Sequence, residues 1–163
     1  MKTNLFSFAI LALISLGVLL SFSYPPTEEQ KDTKFFTLRI GDTPMSEEVK
    51  AKLISAYKAQ YGTKAVVKSV TLEDFKGETW LVFTSGGKDN PSVAYQTRKK
   101  KDPISTGVPS DAPKETCTGV GCSVCKFGAS GGCYCDNRGG DGRCDHTISR
   151  ISEDANFVNA LFN

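Results

Sequence analysis

All six cysteines of this chain, the residues with the widest range of possible chemistry, lie between positions 117 and 144. They are Cys117, Cys122, Cys125, Cys133, Cys135 and Cys144, with the spacing C-x4-C-x2-C-x7-C-x-C-x8-C. Clustered cysteines can form a disulfide scaffold, bind a metal as thiolates or exchange electrons as a dithiol. The segment is rich in glycine and poor in large apolar residues, so burial alone does not order it.

The N-terminal segment indicates the compartment in which these cysteines act. Lys2 precedes an uncharged, mostly apolar run over residues 5–22, and Ser21 and Ser23 form a small-x-small cleavage site. This pattern is typical of a signal peptide over residues 1–23 and predicts cleavage after Ser23. The alternative is an uncleaved anchor, because the apolar run approaches the roughly 20 residues that span a bilayer. We expect a secreted, periplasmic or cell-surface protein.

Export favours the disulfide scaffold, which requires no cofactor. An even number of clustered cysteines in an exported protein most often forms disulfides. Three bridges, each worth about 2–4 kcal/mol, would offset the conformational entropy that the glycine-rich segment loses on folding. The sequence does not select the pairing. Cys133-x-Cys135-x8-Cys144 resembles the second half of an EGF-like module, but the first half departs from it, so only a small disulfide-rich module is implied.

Metal binding is an alternative use of the same cysteines. Cys117-x4-Cys122-x2-Cys125 has the spacing of plant-type two-iron ferredoxins, although Val120 stands where that pattern usually has Gly or Ala. Zinc could be held by four thiolates, or by three thiolates and the only histidine. The candidate zinc ligands are Cys122, Cys125, Cys133, Cys135 and His146. The simpler interpretation of His146 is an exposed polar residue.

Enzymatic patterns are weak. Cys122-Ser-Val-Cys125 is formally a redox C-x-x-C motif, but no strand precedes it and no helix follows it in the pattern. A Ser-His-Asp site would need His146, and no G-x-S-x-G motif supports one. Residues 85–88 lack the further residues of a phosphate loop and are predicted to form a hairpin turn. We expect no catalytic residues and a non-enzymatic protein.

Composition places few limits on the partner. The formal net charge is +2, with 23% charged and 39% hydrophobic residues, which is ordinary for a globular protein. These values give no argument for nucleic acid binding. We expect an unknown protein or surface partner, no nucleic acid, and membrane contact only if the N-terminal segment is uncleaved.

The predicted fold begins near Lys34, after a flexible leader over residues 24–33. In KFFTLRI, alternation places Phe36, Leu38 and Ile40 on one face of a strand. An amphipathic helix follows, with Thr43 as N-cap, an acidic first turn and Gly62 at its end. Its apolar stripe is Met45, Val49, Leu53, Tyr57 and Tyr61.

Three further strands are predicted between residues 65 and 97. Val66, Val70 and Leu72 share one face of the first, ETWLVFT is an apolar run, and SVAYQT alternates. The order predicts an α+β fold with one helix on a four-stranded, mainly antiparallel sheet over residues 34–97. This layout is similar to that of cystatin-like and peptidase-propeptide-like domains. The Gln-x-Val-x-Gly loop of cystatin inhibitors has no counterpart, so the resemblance implies architecture and not inhibition.

The remainder is predicted to be a linker and a cysteine-rich module. Residues 98–116 contain three prolines and a basic cluster and show no apolar period, as in a solvated linker. A protease site at the basic cluster is the alternative. Residues 117–163 form the disulfide-stabilised module and end in a short helix with Ser152 as its N-cap and an apolar face made by Phe157, Val158, Leu161 and Phe162. The protein is expected to be a binding or structural module, with metal binding or thiol-redox chemistry as the alternative.

Overall fold

The computed structural model describes residues 33–86, 90–101, 103–136 and 142–163, which form an α+β fold. The predicted signal peptide and nearly all of the predicted leader lie outside the described residues, so these predictions are not tested. The strands are β1 (Phe35–Ile40), β2 (Val66–Phe75), β3 (Glu78–Gly86), β4 (Ser92–Gln96), β5 (Arg98–Lys101), β6 (Ile104–Pro109), β7 (Pro113–Val120), β8 (Cys125–Phe127), β9 (Cys133–Cys135) and β10 (Arg143–Arg150). The helices are α1 (Glu47–Tyr61) and α2 (Ala155–Phe162), with a 3-10 turn at Ile151–Glu153.

The central element is an antiparallel five-stranded sheet in the order β10-β7-β4-β3-β2. A separate antiparallel sheet has the order β1-β6-β5, and β8 and β9 form a two-stranded hairpin. The predicted α+β class, with a helix on an antiparallel sheet, is confirmed. The strand count differs because β7 and β10, from the C-terminal part of the chain, join the sheet, whereas β1 pairs with β6.

Both helices cover one side of the five-stranded sheet, which we call the helix face. The core there includes Leu53, Tyr57, Leu81, Phe83, Val93, Tyr95, Phe157 and Leu161, each at most 1% exposed. The aromatic rings interlock, since the Phe83 ring lies 5.3 Å from that of Tyr57 and 5.9 Å from that of Phe157. Amphipathic helices of this length are stabilised by such packing more than by their intrinsic propensity.

Helix α1 follows its predicted stripe but begins later than predicted. Ser46 is the N-cap and its hydroxyl accepts a hydrogen bond from the Val49 N–H at 3.2 Å. Thr43, predicted as the cap, instead donates its hydroxyl to the Ile40 carbonyl in the preceding turn. Gly62 ends the helix as predicted, with its N–H donating to the Lys58 carbonyl.

In β1 and β2 the buried residues do not follow the predicted alternation, because each strand contains a bulge. In β1 the register shifts between Thr37 and Arg39, and Ile40 becomes 56% exposed instead of joining the core. In β2 the shift lies between Val67 and Ser69, and Val66 becomes 54% exposed. One extra residue moves every side chain beyond it to the opposite face of the sheet, so strict alternation predicts the wrong face at the end of the strand.

The linker prediction for residues 98–116 is wrong, because this segment forms β5, β6 and the start of β7. An edge strand exposed on both faces needs no apolar period, and all four residues of β5 are exposed. In β6, Gly107 is needed because a Cβ there would lie 2.5 Å from the Phe35 ring. The basic cluster that favoured a linker instead forms an edge strand, and Gly107 allows a close packing contact.

The C-terminal helix α2 begins at Ala155, later than predicted from Ser152. Ser152 lies within the 3-10 turn that precedes it. Phe157 and Leu161 insert into the core as the predicted apolar face requires. In the described part of the chain, no helix has the length and apolar character to cross a membrane.

Candidate functional site

The six cysteines form three disulfides, which confirms the predicted disulfide-stabilised module. The pairs are Cys117–Cys133, Cys122–Cys135 and Cys125–Cys144. Their Cα atoms lie 5.7, 5.8 and 5.9 Å apart, within the range that a disulfide can bridge. The first cysteine thus pairs with the fourth, the second with the fifth and the third with the sixth. We call residues 117–136 and 142–144 the cysteine module.

Strand pairing brings these cysteines into position. Cys117 lies on β7 in the five-stranded sheet, and Cys144 lies on the adjacent β10. Cys125 and Cys135 are direct partners across the β8-β9 hairpin. Bridges from β7 and β10 to this hairpin therefore fasten the module to the sheet at two strands.

The module covers the side of the sheet opposite the helices, which we call the cysteine face. Phe75, Trp80, Val82 and Ala94 of the sheet form a buried cluster with Phe127 and the cysteines. The Phe75 ring stacks 4.8 Å from Trp80 and 5.8 Å from Phe127. Trp80 and Phe83, which lie in the predicted apolar strand ETWLVFT, are both buried but on opposite faces, because successive residues of β3 alternate. Burial of both faces explains the continuous apolar run of β3.

A buried carboxylate, Glu115, links the module to the sheet. It is 3% exposed, and its Oε1 accepts a hydrogen bond from Lys76 Nζ at 2.6 Å, while Oε2 lies 3.0 Å from His146 Nε2. Lys76 extends from the β2-β3 turn to Gly131 in the β8-β9 turn. A Cβ at Gly131 would lie 1.8 Å from Lys76 Cε. His146 is an exposed residue of β10, as expected, and its ring also contacts the buried Glu115 carboxylate.

A second buried carboxylate, Asp154, lies on the helix face. It is 3% exposed, and its Oδ1 accepts a hydrogen bond from Lys114 Nζ at 2.6 Å. The hydroxyl groups of Tyr95 and Tyr61 donate to Oδ2 at 2.7 and 3.2 Å. Lys114 and Glu115 are neighbours on β7, so alternation sends one buried charge to each face of the sheet.

The sequence patterns did not identify these two clusters. Lys114 and Glu115 lie within the segment predicted as a linker, and no pattern in the sequence marks Lys76 or Asp154 as their partners. Their partners are 39 and 40 positions away in sequence. A hydrophobic period relates only residues that are close in the chain, so it does not reveal a pairing over this separation.

The predicted metal ligands are not arranged as a metal site in the oxidised protein. The Sγ atoms of Cys122, Cys135 and Cys144 lie within 4.8 Å of one another, but all three belong to disulfides. Zinc and iron-sulfur clusters need thiolates, which bridged sulfurs do not supply. His146 contacts Glu115 and not a cysteine. The C-x-x-C residues Cys122 and Cys125 are bonded to separate partners and not to each other.

A polar groove of about 460 Å³ lies where the module leaves the β2 edge of the cysteine face uncovered. The sheet contributes Ser69, Glu73 and Thr84, and the module contributes Lys126 and Tyr134. Lys126 Nζ lies 2.5 Å from an oxygen of Asp136, and this hydrogen bond raises the pKa of the lysine. Tyr134 is 49% exposed. The groove has the volume of a small-ligand site and is mainly polar.

Comparison with family models, curated proteins and solved structures finds no significant match for this chain. The functional argument therefore rests on the residues and the geometry above.

Proposed function

We propose that this protein is exported and acts outside the cytoplasm as a non-enzymatic binding or structural module. The observation that carries the proposal is the engagement of all six cysteines in three disulfides within residues 117–144. Structural disulfides persist in oxidising compartments and are rare in the reducing cytoplasm. The signal-peptide pattern over residues 1–23 supports the same compartment.

The buried polar groups support a structural rather than a catalytic role. Glu115 and Asp154 are each held by cations and hydrogen-bond donors from distant elements. A buried charge that is fully paired stabilises one arrangement of the chain, and removing one partner leaves a costly unpaired charge. Among the described residues, the groove beside Tyr134 and the exposed strand β5 are two surfaces open to a partner.

The test is expression of the full chain in a secreting host, followed by cell fractionation, N-terminal sequencing, and thiol and metal analysis. We expect the protein outside the cytoplasm, with Tyr24 as its first residue and no reactive thiol after denaturation. A chain lacking residues 1–23 is the control and should remain in the cytoplasm with reduced cysteines. Cytoplasmic retention of the full chain, or free thiolates with stoichiometric zinc, would contradict the proposal.

A further inference from the structure

The three-stranded sheet carries a concentration of positive charge that the composition conceals. Its strands contain Arg39 and the whole of β5, Arg98–Lys101, and no acidic residue. The complete chain has a formal net charge of only +2. Every side chain of β5 is exposed, so this charge faces solvent.

Most of this charge is not neutralised within the described residues. Arg98 lies 3.5 Å from Asp111, and Lys100 lies 4.2 Å above the Phe35 ring. Lys99 and Lys101 have no acidic partner in the described part of the chain. Thr106 pairs with Lys99 on one side and Arg39 on the other, so these two cations share a face of the sheet. Lys101, two residues from Lys99, extends the same face.

Protection of a free edge explains only part of this arrangement. Lysines on an edge strand discourage pairing with another sheet, which accounts for charge on β5. Arg39 is on β1, at the opposite edge of the same sheet. Arg39 is only partly exposed and its Nε is buried, so it extends the positive charge beyond the edge strand β5 without forming a fully exposed face.

We propose that this basic sheet binds an acidic polysaccharide, an inference that rests on the proposed function outside the cytoplasm. The four residues of β5 extend about 13 Å, at roughly 3.3 Å per residue, with alternate side chains on opposite faces. A linear polyanion lying along the edge can contact both sets. Its hydroxyl and acidic groups can also hydrogen bond the outward N–H and C=O groups of β5.

Other anionic partners fit the surface less well. Contact with lipid hydrocarbon would leave the open backbone groups of β5 unsatisfied. Proteins that bind single-stranded nucleic acid stack bases on aromatic rings, but Phe35 lies under Lys100 and Phe36 lies under Lys52. An added peptide strand would find only a short edge whose lysines oppose strand addition.

The test measures the affinity of the full exported protein for heparin, used as the probe, over a range of salt concentrations. The variant Lys99→Gln/Lys101→Gln removes two exposed charges from one face. The control Lys64→Gln/Lys68→Gln removes two exposed lysine charges near and in β2. We expect salt-dependent binding that weakens about tenfold or more at low salt in the β5 variant and changes less than about twofold in the control.

Absence of heparin binding at low salt would overturn the inference, and so would equal losses in the two variants. Tighter binding to anionic phospholipid vesicles or to DNA than to heparin would also overturn it. These results would leave the proposed function intact if the protein were still exported with three disulfides. A reduced, cytoplasmic protein would instead contradict the proposed function itself.

Discussion

At position 131 the structure requires glycine for two separate reasons. Gly131 has φ +79°, and a Cβ there would lie 1.8 Å from Lys76 Cε, whose amino group is held by buried Glu115. Gly132 has φ +81° but no atom within 4 Å of a Cβ. The two glycines therefore share the backbone requirement and differ only in the contact with Lys76.

We expect Gly131→Ala to lower the free energy of unfolding more than Gly132→Ala. Both should lose about 1–2 kcal/mol through the positive φ, and Gly131→Ala about 1–2 kcal/mol more because Lys76 must shift away from Glu115. Urea unfolding of the oxidised proteins measures both values. In a Lys76→Ala background the two losses should become equal, and equal losses in the wild-type background would show that Lys76 does not pack under this turn.

The residue scale is also where sequence interpretation was least complete. The bonded state of the cysteines was predictable, because the signal-peptide pattern and an even cysteine count favour disulfides. The pairing and the buried Glu115 and Asp154 clusters were not, since both depend on contacts between strands far apart in the chain. Similarly, the net charge of +2 hides the local positive charge of the three-stranded sheet, which forms only when β1 and β5 both pair with β6.

At the scale of elements, helix α1 packs against the sheet through tyrosines whose hydroxyl groups are buried. Burial raises the pKa of Tyr57 from 10.0 to about 12, and burial is also the main cause that raises the pKa of Tyr61 and Tyr95. The Tyr57 hydroxyl donates to the Pro91 carbonyl at 2.5 Å. The packing of α1 therefore depends on neutral tyrosines.

The pH dependence of stability follows from these raised pKa values. Above pH 10 the unfolded chain loses tyrosine protons that the folded protein retains, so the free energy of unfolding is fully retained below pH 10 and falls as the pH rises toward 12. Tyr57→Phe keeps the ring and removes one titrating group. We expect it to reduce the alkaline loss by at most about 2–3 kcal/mol, measured by urea unfolding and tyrosinate absorbance. Parallel losses in the variant and the wild type would contradict this assignment.

The elements themselves were predictable where their periods are regular. Helix α1 was predictable because one of its faces is buried, and β4 because its residues follow a strand period, with Val93 and Tyr95 on the helix face and Ala94 on the cysteine face. The bulges in β1 and β2 break the alternation of buried and exposed residues, and the exposed strand β5 has no apolar face that a sequence pattern could reveal. For this reason residues 98–116 resemble a linker in sequence but form strands in the protein.

At the scale of the whole molecule, one five-stranded sheet is covered on both sides, by helices on one face and by the cysteine module on the other. The sequence suggested a helix-on-sheet domain joined through a linker to a separate module. The apolar run of β3 contained the contrary signal, since Trp80 and Val82 alternate with Leu81 and Phe83 and all four are buried. A sheet with one solvated face would place polar residues at alternate positions.

The most direct test of this account is the disulfide connectivity of the protein recovered from a secreting host, determined by mass spectrometry of a digest without reduction. Cleavage beside Tyr134, which separates Cys133 from Cys135, distinguishes the bridges at these two positions. The structure predicts three bridges, Cys117–Cys133, Cys122–Cys135 and Cys125–Cys144, and no free thiol. A bridge between Cys122 and Cys125, or free thiols, would contradict the fastening of the cysteine module to the sheet.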